Sequence, residues 1–313
     1  MASPRVVVVT KYTSYRHLLE LSRNDEMLKP LLARGVNDRG TGVAYAKQAA
    51  EEHKSTLRQV VDALRDLGAS TQVISLPHQP FSVRGVSVVV TVGGDGTLLA
   101  ASHQCDGHTP IVGVNSAPSS SVGFFCGIKP GRLLKASLRK ALDGTLPGVE
   151  LARMEVRVNR KVISRRILND ALFCHPSPAA TSRYIVMLGD DVENHKSSGF
   201  WVGPAAGSTA AQYSAGGQIL PMTSRDIQFV VRNPYQLTGK LRFARSVVGE
   251  GNVLVIYNRM REAKLFLDGP HSVVDVGLGS KLQFMLSPEP IRVLGLSANR
   301  GRTRNKRDGL GSV

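Results

Sequence analysis

The stretch that decides the fold is residues 86–97, which read Val-Ser-Val-Val-Val-Thr-Val-Gly-Gly-Asp-Gly-Thr. Residues 86–92 are almost entirely Val, which is typical of a strand buried on both faces. The glycines that follow predict a tight turn, and residues 97–105 predict a helix after it. The stretch therefore predicts a strand-turn-helix junction in a parallel sheet covered by helices.

The flanking segments continue this alternation of strands and helices. Short β-branched runs predict strands, and apolar residues at helical spacing predict helices. The strands are expected at residues 5–10, 71–76 and 110–114, and the helices at residues 42–67 and 131–142. We therefore expect an α/β domain with a parallel sheet at residues 1–145.

Beyond residue 144 the pattern changes to short alternating segments with weak helical periodicity. These segments predict a β-rich, β-sandwich-like second domain at residues 146–292, joined by a linker at residues 143–148. Its strands are expected at residues 150–158, 161–168, 183–188, 200–202, 226–231, 253–257, 263–267, 272–276 and 281–286. Residues 293–313 are expected to form a basic, flexible tail.

Composition excludes several classes of protein. With 42% hydrophobic residues among 313, the chain can build a core, which rules out global disorder. No apolar run approaches the length of a membrane span, and no amino-terminal segment resembles a signal or transit peptide. The three cysteines are widely separated, with no spacing typical of a zinc site or a disulfide framework. We therefore expect a cytoplasmic protein that does not enter a membrane.

The net charge points to an anionic partner. The 40 Lys and Arg against 24 Asp and Glu leave a charge of +16. Clustered cations attract nucleic acid, an anionic membrane and a small polyphosphate ligand alike. Charge alone therefore does not distinguish these three partners. Part of the excess lies in the tail, at Arg300, Arg302, Arg304, Lys306 and Arg307. No aromatic residue is interleaved there to stack on bases, so we expect no specific nucleic-acid binding.

Residues 93–97 carry the clearest chemical signal. The backbone N–H groups of Gly93, Gly94, Gly96 and Thr97, together with the start of the following helix, suit a phosphate group. Asp95 would repel phosphate unless it accepts a proton from an attacking hydroxyl or holds a divalent metal between phosphates. The alternative is a tight turn capped by an Asp, without a ligand.

Further candidates lie where other predicted strands end. Asn115 follows the next strand of the first domain, and Phe124 could offer an apolar wall to a purine, although Phe residues are more often core. Asn169 and Asp170 end a β-like segment of the second domain. Residues 203–217 are small and hydroxyl-rich, which suits either an extended ligand or close packing of chain segments. Their candidate ligand-binding residues are Ser208, Thr209, Ala210 and Ser214.

Together these segments resemble the NAD kinase family, from about residue 5 to residue 286. Residues 93–97 look like its glycine-aspartate signature, Asn169-Asp170 like its Asn-Glu pair, and residues 207–210 with 214–217 like its second-domain glycine motif. Asp268-Gly269 matches a late Asp-Gly turn. The resemblance implies ATP-dependent phosphorylation of the adenosine 2′-hydroxyl of NAD(H), with magnesium as a cofactor.

The resemblance also implies roles for individual residues. Asp95 would activate the hydroxyl and could contact magnesium through the phosphates, while Gly93, Gly94, Gly96 and Thr97 would shape the phosphate site. Lys196 is a further candidate phosphate contact. The residues expected to bind NAD(H) are Asn115, Phe124, Asn169, Asp170, Ser198, Ser208, Thr209, Ala210 and Ser214. A homodimer or higher homo-oligomer is implied as well.

One departure from the family pattern bears on the substrate. Many NAD-specific members carry an Asp where this chain has Ser198, near the nicotinamide end. Oxidised nicotinamide is cationic and reduced nicotinamide is neutral, so loss of that carboxylate should favour NADH by about 1 kcal/mol at a solvated site. Residues 196–199 and 9–13 resemble plant NADH kinases and animal mitochondrial NAD kinases more than common bacterial enzymes.

Two other functions stay open on the sequence. A lipid kinase of the diacylglycerol or sphingosine type shares a similar glycine-aspartate loop, and the basic charge would suit an anionic membrane. A non-enzymatic, basic nucleotide-binding protein would show salt-dependent binding of polynucleotides without turnover of ATP.

Overall fold

The computed structural model describes residues 3–23, 25–37, 42–76, 80–235 and 241–299. The chain divides into two compact units. One comprises the residues up to Val149 together with Arg292–Leu296, and the other comprises Glu150–Ile291 with the described residues after Leu296.

The first unit is built on a six-stranded sheet with strand order β2-β1-β3-β4-β18-β5. Its strands are β1 (Arg5–Lys11), β2 (Ser70–Leu76), β3 (Val88–Gly93), β4 (Ile111–Asn115), β5 (Gly148–Leu151) and β18 (Ile291–Leu294). Strand β3 pairs in parallel with β1 and β4, and each of its residues is buried. This confirms the predicted parallel sheet, because a strand covered by helices on both faces selects the continuous Val run.

Helices cover this sheet. Those of the described residues in this unit are α1 (Ser14–Arg23), α2 (Leu28–Asn37), α3 (Gly42–Asp66), α4 (Asp95–Ser102) and α5 (Leu134–Leu142). Val60 and Leu64 of α3 and Leu138 of α5 pack with alternating Val residues of the central strands. Among the described residues, no helix has both the length and the apolar character that crossing a bilayer requires.

Two differences from the predicted elements have physical reasons. Helices α1 and α2 had no predicted counterpart; most residues of α1 are polar or charged, and α2 contains Pro30 and Gly35, which disfavour a helix interior. Helix α4 begins at Asp95, two residues before the predicted start, because Gly94 is already its extended N-cap.

The second unit consists mainly of two six-stranded antiparallel sheets, with strand orders β10-β9-β14-β17-β6-β7 and β13-β12-β11-β8-β15-β16. Their strands are β6 (Met154–Val158), β7 (Lys161–Ile167), β8 (Ala171–Cys174), β9 (Ser182–Leu188), β10 (Asp191–Ser197), β11 (Phe200–Pro204), β12 (Ile227–Val231), β13 (Arg245–Val248), β14 (Val253–Asn258), β15 (Glu262–Leu267), β16 (Ser272–Gly277) and β17 (Lys281–Leu286). A 3-10 turn, Ala205–Gly207, and a short helix, α6 (Ala211–Ser214), follow β11. The β-rich character of this part of the chain is thus confirmed.

The core of the second unit lies between its two sheets. Phe200 of one sheet stacks on Phe173 at 5.1 Å between ring centroids and meets Phe284 of the other sheet edge-on at 6.0 Å. All three rings are fully buried. The two sheets therefore pack face to face, as the alternating segments of a β-sandwich do.

The region predicted as a tail begins differently from the prediction. Residues 293 and 294 end strand β18, which pairs in parallel with β4, and Val293 and Leu294 are buried. This four-residue strand is too short to stand out by periodicity. The five cations of the predicted tail lie outside the described residues.

Candidate functional site

The glycine loop after β3 combines tight packing with an open side. A Cβ on Gly93 would overlap the Thr97 side chain, and one on Gly94 would lie 2.9 Å from Ser121 Oγ. Gly96 is exposed, and a Cβ there would meet no atom within 4 Å. Gly93 and Gly94 are thus required by neighbouring protein atoms, whereas the space beside Gly96 is free for a ligand.

Asp95 is the first residue of α4 and is half-buried. Its Oδ2 accepts a hydrogen bond from the Phe124 backbone N–H at 2.8 Å, and its Oδ1 accepts one from the Phe125 N–H at 2.7 Å. A negative charge in the first turn of a helix is also favourable. Each carboxylate oxygen keeps a further lone pair, so Asp95 can fix this loop and still accept a proton from a bound hydroxyl.

The two phenylalanines beside Asp95 differ in burial. Phe125 is 3% exposed and belongs to the core, whereas Phe124 is half-buried. Their rings meet edge-to-face, with centroids 5.3 Å apart. Phe124 therefore keeps surface with which it can contact a ligand.

Asn115 lies at the end of β4 and shapes the loop that follows. Its Nδ2 donates to the Ser121 carbonyl oxygen at 2.8 Å, and its Oδ1 accepts from the Ala117 N–H at 3.3 Å. A Cβ on Gly123, whose φ is +58°, would lie 2.6 Å from Asn115 Nδ2. Asn115 is 2% exposed, so its surroundings are those of a residue that holds the loop in place.

His53 is a residue of this region that sequence reasoning missed. It lies on the buried face of α3, with Nε2 2.9 Å from Thr10 Oγ1 and Nδ1 2.9 Å from Ser116 Oγ. Burial, with a smaller contribution from the charge of Lys11, lowers the pKa of His53 to about 4. A neutral imidazole thus ties α3 to the ends of β1 and β4. Its signal in the sequence is a His at helical spacing from Thr56 and Val60.

Lys11, the last residue of β1, was also missed. Its side chain is half-buried, and burial lowers its pKa. The carboxyl ends of parallel strands are where α/β proteins bind ligands. Lys11 is therefore a cation at the edge of the sheet where the glycine loop lies.

In the second unit, Asn169 and Asp170 lie between β7 and β8. Asn169 Nδ2 donates to Asp170 Oδ2 at 2.8 Å. Asp170 is 4% exposed, and burial, reinforced by the negative charge of Asp268, raises its pKa to about 7. The two predicted residues are thus brought together, with a carboxyl group that changes its charge near neutral pH.

Residues 203–217 pack against these two residues. A Cβ on Gly203 or on Gly207 would overlap the carbonyl oxygen of Asn169. Ser208 is fully buried: its hydroxyl donates to the Ala205 carbonyl oxygen at 2.7 Å and accepts from the Leu220 N–H at 3.0 Å. Close packing, the alternative interpretation of this segment, therefore accounts for these glycines and for Ser208.

The other predicted residues of this segment remain accessible. Thr209 is half-buried, and Ala210 and Ser214 are exposed. Ser214 also lines an open pocket of about 480 Å³, together with Trp201, Ala211, Ala215, Arg232 and Asn233. The first part of the segment thus packs against other parts of the chain, whereas Ser214 near its end borders a pocket.

Ser198 lies next to residues of that pocket. Asn233 Nδ2 is 3.4 Å from Ser198 Oγ, and Arg232 Nη1 donates to the Ser198 carbonyl oxygen at 3.4 Å. The Arg232 guanidinium lies 5.7 Å from the centre of the Trp201 ring. The pocket therefore has an aromatic wall, and its cation Arg232 contacts the backbone carbonyl oxygen of Ser198.

Lys196 lies two residues earlier in β10 and is exposed. Its Nζ is 5.8 Å from the centre of the Tyr235 ring, a cation–π contact. Within the described part of the chain, no group of three or more His, Cys, Asp and Glu side chains could hold a metal ion.

Comparison with known proteins identifies relatives over most of the chain. Residues 16–143 match the family model described as the ATP-NAD kinase N-terminal domain. A protein of Arabidopsis thaliana named NADH kinase is 30% identical over 283 residues, which are 84% of this chain and 89% of that protein. Human mitochondrial NAD kinase 2 is 35% identical over 130 residues, or 39% of this chain and 28% of that protein.

A solved structure shows the same fold. The crystal structure of an NAD kinase from Archaeoglobus fulgidus in complex with ATP superposes with a TM-score of 0.67 at 19% identity. The match covers 98% of this chain and 100% of that chain. The predicted relationship to plant NADH kinases and mitochondrial NAD kinases is confirmed by these matches.

Proposed function

The chain belongs to the NAD kinase family, and from this premise we propose that it transfers the terminal phosphoryl group of ATP to the adenosine 2′-hydroxyl of NAD(H), giving NADP(H) and ADP. The observation that carries the proposal is the position of Asp95 in a glycine loop with an open side at Gly96. A phosphate site with a carboxylate inside it is suited to phosphoryl transfer to a hydroxyl.

Asp95 would act as the proton acceptor. As the 2′-oxygen forms its bond to the γ-phosphorus, its proton passes to the Asp95 carboxylate, and the bond from phosphorus to the β–γ bridging oxygen breaks. The hydrogen bonds from Phe124 and Phe125 hold the carboxylate in one orientation, which such a transfer requires.

The remaining contacts of ATP are proposed in the first unit. The backbone at Gly93, Gly94, Gly96 and Thr97 would approach the phosphates, and the Lys11 ammonium is a nearby cation for the transferred charge. Magnesium would be bound mainly by the phosphate oxygens, because the described side chains form no metal-binding cluster. Asp95 is the side chain that we propose would contact the ion through the phosphates. When bound, the ion neutralises charge on the phosphates.

The dinucleotide would contact the second unit through Asn169, Asp170, Thr209, Ala210 and Ser214. Asn169 and Asp170 offer directional hydrogen-bonding groups. Thr209, Ala210 and Ser214 keep accessible surface. Phe124, which keeps accessible surface, is a further proposed contact of the substrate. Asn115 and Ser208 are better explained as residues that support the site, because both are buried and hydrogen-bonded within the protein.

We also propose a preference for NADH, which the surroundings of Ser198 support. The cation Arg232 lies beside it, and Ser198 replaces the carboxylate expected in many NAD-specific members. A cationic nicotinamide ring would be repelled at this position, whereas the neutral reduced ring would not. The enzyme should therefore accept both redox forms and favour NADH. We also propose that Lys196 contacts a phosphate group, since its side chain is exposed.

Assembly and location are further parts of the proposal. Each outer strand of the two antiparallel sheets carries an exposed valine: Val162, Val192, Val247 and Val273. Single exposed valines are common on protein surfaces, so the homo-oligomer that we propose rests on membership of the family. None of the three cysteines of the described chain is in a disulfide, which supports a reducing compartment such as the cytoplasm.

A coupled assay of the purified chain with ATP and magnesium tests this function. The acceptors to compare are NAD, NADH and vesicles that contain diacylglycerol or sphingosine. We expect NADP from NAD and faster formation of NADPH from NADH, with no lipid product. Phosphorylation of lipid alone, or binding of polynucleotide without ATP turnover, would contradict the proposal.

A further inference from the structure

The turn after β15 carries a carboxylate to which the proposed function assigns no role. Asp268 accepts hydrogen bonds from three successive backbone N–H groups: Oδ2 from Leu168 at 2.8 Å, and Oδ1 from Asn169 at 2.8 Å and Asp170 at 2.9 Å. The Asp268 N–H donates in turn to the Asp170 carbonyl oxygen at 2.8 Å. One residue thus fixes the backbone that carries Asn169 and Asp170.

This arrangement requires a carboxylate in an unusual backbone conformation. Asp268 has a φ of 48°, in the left-handed region that Asp and Asn tolerate better than most residues. An ionised carboxylate only accepts hydrogen bonds, whereas an amide would direct its NH₂ group at one of the three N–H donors. Asn at this position would keep the backbone conformation and disturb the hydrogen bonds.

The same backbone is confined from its other side. The carbonyl oxygen of Asn169 lies where a Cβ on Gly203 or Gly207 would be, and it accepts a hydrogen bond from Gln212 Nε2 at 3.3 Å. The segment 168–170 is therefore clamped between residues 203–212 and Asp268. Small changes at Asp268 should consequently be transmitted to the side chains of Asn169 and Asp170.

We propose that Asp268 is a positioning residue of the dinucleotide site, which holds Asn169 and Asp170 in the orientation that a bound NAD(H) requires. The inference rests on the proposed binding of NAD(H) by those two residues. Asp268 itself acts through them and makes no contact with the reacting atoms.

A second effect distinguishes this role from structural support alone. Burial is the main cause of the raised pKa of Asp170, and the charge of Asp268 raises it further. The glycine segment on the other side contributes the neutral Gln212, and Asp268 is the charged group that acts on Asp170 among the described residues. Removing the Asp268 charge should therefore lower the pKa of Asp170.

The test compares two variants with a matched control in the 313-residue chain. Asp268→Asn removes the charge, and Asp268→Glu keeps the charge but displaces the carboxylate by one methylene. The control is Asp275→Asn, which removes an exposed carboxylate of the same hairpin that pairs with Lys264 at 2.6 Å. KM for NADH and for ATP is measured from pH 5.5 to 8.5, with circular dichroism to verify folding.

Both Asp268 variants should raise KM for NADH by roughly tenfold, as expected for lost hydrogen bonds to a charged group, with KM for ATP within about twofold. In Asp268→Asn the midpoint of the pH dependence of KM for NADH should also move to lower pH, whereas in Asp268→Glu it should stay near that of the wild type. Asp275→Asn should match the wild type in each measurement.

The inference is wrong if a folded Asp268 variant keeps its KM for NADH, or if KM for ATP rises by the same factor. If Asp268→Asn does not fold, the KM values of Asp268→Glu decide. A wild type that phosphorylates neither NAD nor NADH would instead overturn the proposed function, so the two failures are distinguishable.

Discussion

The two glycine-rich segments, residues 93–97 and residues 203–217, are similar in composition but use glycine in different ways. In the first, Gly96 faces space that the protein leaves open. In the second, Gly203 and Gly207 allow close contact with the carbonyl oxygen of Asn169, so the protein itself occupies the space. A glycine motif thus predicts the close approach of a group, but not whether that group is a ligand or another part of the chain.

The largest expected effect is on turnover, at the carboxylate of the first segment. Asp95→Asn removes the proton acceptor and should lower kcat by about a thousandfold or more, since general-base catalysis and orientation are lost together. The measurement is steady-state kinetics with NADH and ATP, alongside thermal unfolding.

A matched control separates catalysis from loop stability. Asp106 likewise accepts two backbone hydrogen bonds, from His108 at 3.0 Å and Thr109 at 2.7 Å. Asp106→Asn should lose a similar amount of stability, about 1 kcal/mol, while keeping its turnover. Equal kcat values for the two variants would contradict the role of Asp95 as the proton acceptor.

A substitution in the second segment, residues 203–217, should mainly change the free energy of unfolding. Gly207→Ala places a methyl group against the Asn169 carbonyl oxygen and should lower the free energy of unfolding by about 3 kcal/mol, the upper range for overpacking. Gly96→Ala, with open space around its Cβ and a position inside α4, should be neutral or stabilising while it weakens ATP binding. Urea unfolding of both variants measures the difference in stability between them. The expected difference between the two segments is wrong if Gly96→Ala is the less stable variant.

The sequence alone predicted the sheet of the first unit because its central strands β1, β3 and β4 are almost entirely buried and rich in Val. Helix α1 escaped prediction because most of its residues are polar or charged, and β18 because four residues carry too little periodicity. Strands β8 and β10 also had no predicted counterpart. β10 contains Glu193, His195 and Lys196, so its sequence lacks the alternation of apolar and polar residues that predicts a strand.

Within the candidate site, prediction worked for residue types with characteristic chemistry and failed for those that depend on tertiary contacts. The glycine-aspartate loop was evident, whereas the support provided by His53 and Asp268 arises from partners about 40 to 100 residues away in the chain. Ser208 is a residue whose chemistry misled the prediction. Its hydroxyl suggested contact with a ligand, but it forms hydrogen bonds with the backbone of Ala205 and Leu220 instead. Spacing along a chain does not encode such distant partners.

A smaller effect is expected from Asp170, which the second segment buries. Its pKa of about 7 lies above the ordinary 3.8, so the folded state holds the proton more tightly than the unfolded state does. Its contribution to wild-type stability is therefore present below pH 4 and lost as pH rises towards 7. Asp170→Asn should gain about 2 kcal/mol relative to the wild type between pH 4.5 and pH 6. Urea unfolding at both pH values checks this, and parallel stability curves would contradict it.

The smallest effect is expected beside the pocket that the second segment borders. Ser198→Asp adds a carboxylate next to Arg232, which should favour the cationic ring of NAD over NADH by about 1 kcal/mol, or roughly fivefold in kcat/KM. Asn194→Asp adds the same charge four residues away on β10, where Arg259 already donates to Asn194 at 2.9 Å, and should leave the ratio unchanged. The measurement is the ratio of kcat/KM for the two acceptors at several salt concentrations. Because salt screens an exposed charge, the change in ratio should shrink as ionic strength rises, and a salt-independent change would point to altered packing instead.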